Sequence, residues 1–261
     1  MKIRPNRVKR KLAKGELAYI GGGLTHPDDI DAFGPVGFDG VWLEGEHGGA
    51  DASVMGDLTR ACDIWGMTSV ARVNANDQGL IYRTLDCGAQ AIVVPKINTK
   101  EEAENVVEGG RFQPLGKRGM YTSRQGHGVD DFFAKANAEV LLIVLIEDIL
   151  AVENLDEILT VDGIDVFFVA PADLAASMGY IRDLKNPKVM KTIDDAHARI
   201  HAAGRTSGFM TVNDGVAQYA AKGVRCFLAP VRPWVAAGAA EYMKLAEKGK
   251  AKGKGKGKGK G

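Results

Sequence analysis

The sequence has no long apolar run and few cysteines, and each shortage argues against a class of protein. No stretch reaches the length of about 18 apolar residues that a membrane-spanning helix needs. The basic N-terminal segment, Met1 to Lys14, lacks the apolar core of a signal peptide. The three cysteines form no close pair, which argues against a zinc knuckle and a disulfide framework. These features predict a cytoplasmic protein without a membrane span.

The net charge of +1 hides an uneven distribution of charge. Residues Lys248 to Gly261 carry seven lysines and no acids, so the remainder of the chain has a net charge of −6, which is +1 minus 7. Alternating lysine and glycine has no apolar face and its like charges repel, so we expect residues 248–261 to be disordered. This tail either contacts an anionic surface, such as a nucleic acid or a membrane, or acts only as a solubilising extension.

Short apolar and β-branched runs alternate with helical stretches, a pattern typical of a parallel sheet. Eight strands are predicted, at Leu17–Gly22, Gly40–Glu44, Ser69–Val73, Ala91–Pro95, Leu141–Glu147, Asp165–Val169, Thr206–Met210 and Arg225–Ala229. With 261 residues, the chain has the length of one barrel and little room for a second domain. We therefore predict an α/β protein in which residues 1–247 form a single (β/α)8 TIM barrel domain. The segment Gln113 to Asp131 is predicted to be a long loop.

Charged and titratable residues collect at the C-terminal ends of the predicted strands. Those concerned are Glu44, Glu46, His47, Arg72, Glu147 and Asp173. Parallel strands that are buried on both faces should be nearly all apolar, so charges at their ends require an explanation. Barrel enzymes carry their chemistry at this end, where the loops after the strands converge. The sequence therefore predicts an active site at the C-terminal rim of the barrel.

Glu147 and Asp173 are the candidates for metal binding. Glu147 follows the apolar run 141–146, where a carboxylate is too costly to bury without a partner. Asp173 follows the next strand, so the two carboxylates could share a hard divalent cation, for which Mg²⁺ and Mn²⁺ are the best candidates and Co²⁺ is a third. In the alternative, Asp173 caps the following helix and Glu147 pairs with a lysine such as Lys96. The residues alone favour neither interpretation.

Arg72 and His47 are the candidates for substrate binding and proton transfer. The planar guanidinium of Arg72 suits a carboxylate or a keto-acid oxygen, although an ion pair with Glu44 or Glu46 is the alternative. His47 precedes two glycines and follows an acid that could orient its ring, as a general base requires.

These motifs, in this order and with this spacing, resemble a known family. The first motif is Gly37-Phe38-Asp39, which runs into Glu44-Gly45-Glu46-His47, and the second is Val94-Pro95, followed by Gly116-Lys117-Arg118-Gly119. The third is Ile146-Glu147. The fourth extends from Val161 to Asp165 and continues through Pro171-Ala172-Asp173-Leu174 to Met178-Gly179-Tyr180. Over roughly Gly37 to Pro230 the chain is similar to the HpcH/HpaI aldolases, a family of metal-dependent class II aldolases that are specific for pyruvate.

The resemblance implies a carbon–carbon lyase that reversibly cleaves a 4-hydroxy-2-oxo acid to pyruvate and an aldehyde through a metal-stabilised pyruvate enolate. It implies that Glu147 and Asp173 bind the metal and that Arg72 steadies the keto oxygen. The backbone from Pro171 through Ala172 to Asp173 would hold the substrate carboxylate. His47, oriented by Glu44, would assist proton transfer. A homo-oligomer, either a trimer or a hexamer, is also implied.

The chain departs from the family pattern at several positions without losing a metal ligand. Glu44 stands where aspartate is usual, Leu145 where glutamine is frequent, and Lys96 where an apolar residue is usual. Lys96 adds a positive charge close to the site, which bears on the aldehyde partner. Two alternatives keep the barrel: another lyase of the superfamily, such as an acyl-CoA lyase or an oxaloacetate decarboxylase, and a catalytically degenerate barrel whose lysine-rich tail binds an anionic partner.

Overall fold

A computed structural model describes residues 1–212 and 215–255 of the chain and shows a closed barrel of eight parallel strands. The strands are β1 (Ala18–Gly22), β2 (Gly40–Glu44), β3 (Thr68–Arg72), β4 (Ala91–Val94), β5 (Leu141–Ile146), β6 (Val166–Val169), β7 (Ser207–Met210) and β8 (Cys226–Pro230). Each strand pairs with the next one in the chain, and the N–H of Ala18 donates to the carbonyl of Arg225 to close the ring. The predicted (β/α)8 barrel is confirmed, and no strand end differs from its prediction by more than one residue.

Helices connect the strands. They are α1 (Arg7–Ala13), α2 (Pro27–Phe33), α3 (Met55–Ile64), α4 (Gln78–Asp86), α5 (Lys100–Gly110), α6 (Phe132–Glu139), α7 (Ile149–Glu153), α8 (Leu155–Ile158), α9 (Pro171–Ser177), α10 (Pro187–Ala202), α11 (Gly215–Ala221) and α12 (Arg232–Gly255). The predicted loop from Gln113 to Asp131 contains one short 3-10 helix, Arg124–Gly126. The chain divides into two compact units. The first, Met1–Ala229, contains nearly the whole barrel, and the second begins at Pro230.

Helix α12 extends further than the sequence analysis predicted. It continues to Gly255, so residues 248–255 are helical where we expected disorder from Lys248 onward. The first turns of the helix contain an alanine-rich stretch, residues 236–240, and once a helix is nucleated each added residue contributes one hydrogen bond. Residues 256–261, the remainder of the predicted tail, lie outside the described residues. None of the helices described is both long enough and apolar enough to cross a bilayer.

The barrel interior is filled by side chains from alternating strand positions, as expected for a barrel of this size. The core cluster includes Ile20 of β1, Val70 of β3 and Ile143 of β5, each with no measurable exposure. Val8 of α1 belongs to the same cluster, and it is equally buried. Helix α1 therefore packs against the barrel core, and the charged residues of interest lie at the strands' C-terminal ends.

The side chain of Asn6 makes four hydrogen bonds, one that caps α1 and three that fix the start of the helix to the rest of the protein. Its side-chain Nδ2 donates to the carbonyls of Gln90 at 3.0 Å and Glu139 at 2.9 Å. Its Oδ1 accepts from the N–H of Lys9 at 2.9 Å, which caps the helix, and from the hydroxyl of Thr68 at 3.0 Å. Asn6 is completely buried, and its bonds with the Gln90 carbonyl and the Thr68 hydroxyl are buried as well, so these two partners would be cut off from water if they lost their bonds.

Replacing Asn6 should therefore destabilise the fold more than the loss of a helix cap alone. Asn6→Ala is expected to lower the free energy of unfolding by about 2–4 kcal/mol, because buried carbonyls lose their donors in addition to the cap. The matched control is Asn186→Ala, which removes the asparagine cap of α10 at a half-buried position and should cost about 1 kcal/mol. Urea unfolding measures both values. Equal losses in the two variants would show that the interior bonds of Asn6 contribute nothing.

Candidate active site

The strand register brings the predicted site residues to one rim of the barrel. In the β2–β3 pair, Glu44 lies opposite Arg72 at the last paired position. Ile146 and Val169 form the last paired position of β5 and β6. Glu147 follows β5 immediately, and Asp173 lies in the first turn of α9, directly after β6. The strands are parallel, so these positions share the C-terminal rim.

Glu147 is a buried carboxylate without an ion pair among the described residues. Its side chain is 5% exposed, and its Oε1 accepts the backbone N–H of Lys96 at 2.8 Å. Burial raises the pKa of Glu147, and the charges of Asp173 and Glu46 raise it further, while the Lys96 N–H and Arg72 act in the opposite direction. The alternative of a Glu147–lysine ion pair is thus not what the structure shows, because Lys96 reaches Glu147 through its backbone.

Asp173 is exposed and does not cap α9. The N-cap of this helix is Ala170, which makes no side-chain cap hydrogen bond, and the Asp173 carboxylate has no hydrogen-bond partner among the described residues. Its charge nevertheless lies close enough to Glu147 to raise that pKa. The structure also corrects one detail of the expected carboxylate-binding segment. Pro171 has no N–H, so only Ala172 and Asp173 can supply backbone donors there.

Arg72 lies between two carboxylates. Its Nε is 2.9 Å from Glu44 Oε2, its Nη2 is 2.8 Å from the same oxygen, and its Nη1 is 2.9 Å from Glu46 Oε2. The ion pair that we kept as the alternative for Arg72 therefore exists, with both acids. Among the described residues only the Nε–H of Arg72 makes a hydrogen bond, to Glu44, whereas the contacts of Nη1 and Nη2 are ion pairs, and Glu46 Oε2 accepts no hydrogen bond. The N–H groups of Nη1 and Nη2 are therefore candidates to donate to a ligand.

The neighbours of Glu44 lower the pKa of its carboxyl group. Burial by itself would raise the pKa of Glu44, but hydrogen bonds from Arg72, from the His47 backbone N–H and from Trp42 together lower it. Such an acid stabilises the fold above the pKa of the unfolded chain, and this contribution is lost as the pH falls through the lower, folded value.

The ring of His47 does not contact Glu44. Its side chain is 69% exposed, and the nearest acid is Glu46, with Oε1 at 3.9 Å from Nε2. Glu44 instead accepts the backbone N–H of His47 at 3.0 Å. The prediction that Glu44 orients the imidazole therefore differs from the structure, because the carboxylate of Glu44 is taken up by Arg72.

Trp42 is a site residue that the sequence analysis missed. Its indole Nε1 donates to Glu44 Oε2 at 3.1 Å, and its ring lies 5.9 Å from Arg72 Cζ. The ring also packs on Phe168 at 5.6 Å between centroids. A signal was present, since Trp42 precedes Glu44 by two residues on the same strand and must project from the same face. A buried indole N–H also needs an acceptor.

The donor set at Glu147 and Asp173 fits a hard divalent cation. No group of three or more His, Cys, Asp or Glu side chains arranged to hold a metal occurs among the residues described, so the protein would supply two carboxylates. Hard cations accept water and substrate oxygens for the remaining positions. A buried carboxylate with one N–H donor and a raised pKa is the kind of group that a cation stabilises.

A (β/α)8 barrel with carboxylates, an arginine and a histidine on its C-terminal rim has the layout of a barrel enzyme. The sequence model of the HpcH/HpaI aldolase/citrate lyase family matches residues 22–241. The chain belongs to this family, and the prediction of a carbon–carbon lyase is confirmed.

Named relatives and solved structures agree with this assignment. The chain is 35% identical over 221 residues to a 2-keto-3-deoxy-L-rhamnonate aldolase of Klebsiella pneumoniae, covering 82% of each chain. It is 37% identical over the same length to the enzyme of that name from Salmonella paratyphi B, again covering 82% of each. A crystal structure of a family member from Burkholderia cenocepacia superposes with a TM-score of 0.87 at 27% identity, covering 93% of this chain and 99% of that one.

Without a bound cation, the buried Glu147 should lower the stability of the fold at neutral pH. A carboxyl whose pKa is raised by folding favours the folded state while protonated, and this advantage is lost as the pH rises through the folded value. Glu147→Gln removes the charge and keeps an oxygen for the Lys96 N–H. In EDTA at pH 7.5 it should raise the free energy of unfolding by about 0.5–2 kcal/mol, and the difference should vanish in acid.

Thermal melting between pH 4 and pH 8 measures this effect. Glu153→Gln, which changes an exposed acid of α7, serves as the matched control and should leave the midpoint unchanged. A Glu147→Gln protein less stable than wild type in EDTA at neutral pH would contradict the argument.

Proposed function

We propose that this protein is a class II aldolase that reversibly cleaves a 4-hydroxy-2-oxo acid into pyruvate and an aldehyde. The observation that carries the proposal is the buried Glu147 carboxylate, without an ion pair among the described residues, beside Asp173 on the rim that also holds Arg72. The relatives' names give support, because a 2-keto-3-deoxy sugar acid with a hydroxyl at C4 is a 4-hydroxy-2-oxo acid.

Glu147 and Asp173 are the proposed metal ligands, with Mg²⁺ or Mn²⁺ as the preferred ion and Co²⁺ as a third candidate. When bound, such a cation supplies Lewis-acid polarisation of the substrate's keto group. Oxygen ligands favour these ions over softer metals that prefer thiolates.

Arg72 is proposed to bind the keto oxygen of the substrate. Among the described residues the guanidinium makes hydrogen bonds through Nε only, so N–H groups of Nη1 and Nη2 can donate to that oxygen as negative charge develops there during carbon–carbon cleavage. Glu44 and Glu46 fix the plane of the guanidinium, so its donors are oriented before the substrate arrives. The backbone N–H groups of Ala172 and Asp173 are proposed to bind the substrate carboxylate.

His47 is proposed to transfer the proton of the C4 hydroxyl. In cleavage, the imidazole accepts this proton as the C3–C4 bond breaks, the aldehyde carbonyl forms at C4, and the bonding electrons remain with the pyruvate fragment. C3 then takes up a proton to give pyruvate. The exposed ring of His47 can exchange its proton with water, and Glu46, 3.9 Å away, is the acid that can orient it.

We also propose that the protein is a homo-oligomer, a trimer or a hexamer. Helix α12 supports this proposal, because it exposes large apolar side chains that a partner surface would cover: Val235, Tyr242, Met243 and Leu245. The lysine-rich end of the chain remains a candidate for contact with an anionic surface.

Pyruvate release from a panel of 4-hydroxy-2-oxo acids tests the proposed reaction. We expect release with Mg²⁺ or Mn²⁺, loss of activity in EDTA and recovery when the ion is restored. Asp173→Asn should lower kcat/KM by about 100-fold or more, because it removes one of the two proposed ligands. Glu153→Gln should behave as wild type. Full turnover in EDTA, or none with any substrate, would reject the proposal.

Arg72→Lys tests the role of the guanidinium separately from its structural ion pairs. Lysine keeps a positive charge for Glu44 and Glu46 but lacks the planar fork, so kcat should fall about 10²- to 10³-fold with a smaller change in KM. The melting midpoint shows whether the fold is kept. Wild-type kcat in a folded Arg72→Lys protein would exclude the proposed role.

A further inference from the structure

A cleft at the N-terminal face of the barrel, opposite the candidate active site, is lined mostly by cations. It lies between the N-terminal segment with α1 and the end of α3, and its volume is about 350 Å³. Helix α3 leads into β3, and α1 binds Asp39, which directly precedes β2, so the cleft lies where the strands begin. Its charged lining residues are one acid, Asp63, and five bases: Arg4, Arg7, Arg10, Lys11 and Lys14.

Four of these bases form one stripe along α1. Arg7, Lys11 and Lys14 are spaced i, i+4 and i+7, and Arg10 lies four residues before Lys14. At 3.6 residues per turn, all four project within about 100° of the helix circumference. Val8 projects from another side of the helix into the barrel core. The packing of α1 therefore directs the four cations to the cleft and away from the core.

The acid that pairs with the middle of this stripe lies beneath it. Asp39 is 1% exposed, and its Oδ2 accepts from the Lys11 ammonium at 2.9 Å. Arg7 Nε lies 2.9 Å from Asp39 Oδ1, but the Arg7 side chain is 43% exposed and its guanidinium makes no hydrogen bond to the described residues. The negative charge is thus on the inside, and the donors of Arg7 face the cleft and the solvent.

The positive charges of the cleft are in excess. Three acids form ion pairs with the five lining bases, namely Asp39, Asp63 and Glu139, so at least two positive charges remain. Asp63 is also shared with Arg124, which adds a further cation. Outside residues 248–261 the chain has a net negative charge, so the excess belongs to this face and not to the protein as a whole.

Two of the bases are poorly compensated by the fold. Lys14 is exposed, and its ammonium group has no hydrogen bond or ion pair among the described residues. Burial lowers the pKa of Arg4, and the charge of Arg124 adds to this effect while Asp63 opposes it. A bound anion would offset both.

We propose that this cleft binds a small compound that carries a phosphate or diphosphate group. Guanidinium groups pair with phosphate oxygens through two parallel hydrogen bonds, and lysines add charge. A phosphate ester has close to two negative charges at neutral pH, which matches the excess, and the volume is that of a small-molecule site. If the ion pairs only fastened α1 to the barrel, Lys14 and the outward donors of Arg7 would have no role. Barrel enzymes react their substrates at the opposite face, so the ligand is bound here without being changed.

Isothermal titration calorimetry with diphosphate tests the proposal. The protein is kept in EDTA, so that no divalent cation at Glu147 and Asp173 attracts the probe. Lys14→Glu reverses the charge of a base that has no partner in the fold, and it should weaken binding about 10-fold or more. Lys185→Glu makes the same change in the exposed loop between α9 and α10 and should bind as wild type.

Two further measurements support the comparison. Thermal melting without ligand shows whether Lys14→Glu keeps the fold. In wild type, diphosphate should protect Lys11 and Lys14 from chemical acetylation, measured by mass spectrometry, and should leave Lys185 reactive. The lysine-rich end of the chain also attracts anions, but it is the same in all three proteins, so its contribution cancels in the ratio of affinities.

Several results would overturn the proposal. One is equal affinity in wild type and Lys14→Glu, and another is an equal loss in Lys14→Glu and Lys185→Glu, which would indicate an effect of net charge alone. A third is binding of heparin or of phosphatidylserine vesicles without binding of diphosphate, which would assign the face to a polymer or a membrane. The proposal does not depend on catalysis, so none of these results bears on the aldolase function.

Discussion

Arg72 lies opposite Glu44 because β2 and β3 run parallel in that register, and the arrangement of charges at the rim depends on the ion pairs of Arg72 with Glu44 and Glu46. Glu44 accepts the hydrogen bond of Arg72 Nε, Glu46 forms an ion pair with Nη1, and the Trp42 indole donates to Glu44 from the same strand. Arg72 is near enough to Glu147 to act toward lowering its pKa, but it forms no ion pair with it among the described residues. If Arg72 were free, it could neutralise Glu147. Its commitment to two other acids leaves Glu147 available for an added cation.

The burial of Glu147 lowers the stability of the fold in the absence of a cation and favours the binding of one. A carboxylate buried at the end of an apolar strand, with one backbone donor, costs free energy in the absence of a cation. The same burial that raises its pKa also lowers the dielectric around it, so a bound cation interacts more strongly with it than with an exposed acid. A protonated carboxyl is a poor metal ligand, so a raised pKa also sets the lower limit of pH at which a metal could bind. Natural enzymes commonly keep such costly groups in their active sites.

The fold was predictable from the sequence because hydrophobic strands and their order determine a barrel almost completely. The rim was predictable for the same reason: in parallel strands, the residues after each apolar run must meet at one end. Contacts between particular side chains could not be predicted from the sequence. Glu44 was expected to orient His47, yet it binds Arg72, and the acid near the ring is Glu46. Several oxygens and donors lie within a few ångströms there, and residue order does not decide among them. The extension of α12 beyond Lys248 was missed because the local pattern of lysine and glycine contains no information about the helix that precedes it.

Different interactions fix the positions of Glu44 and Arg72, on one side, and of Lys96, on the other. Glu44 and Arg72 lie at paired positions within the sheet, so the strand register places them. Lys96 lies just beyond β4, and a hydrogen bond from its backbone N–H to Glu147 places it. Any residue except proline supplies that N–H. The side chain at position 96 can therefore change without loss of the bond that holds Glu147, while Glu44 and Arg72 stay where the register places them.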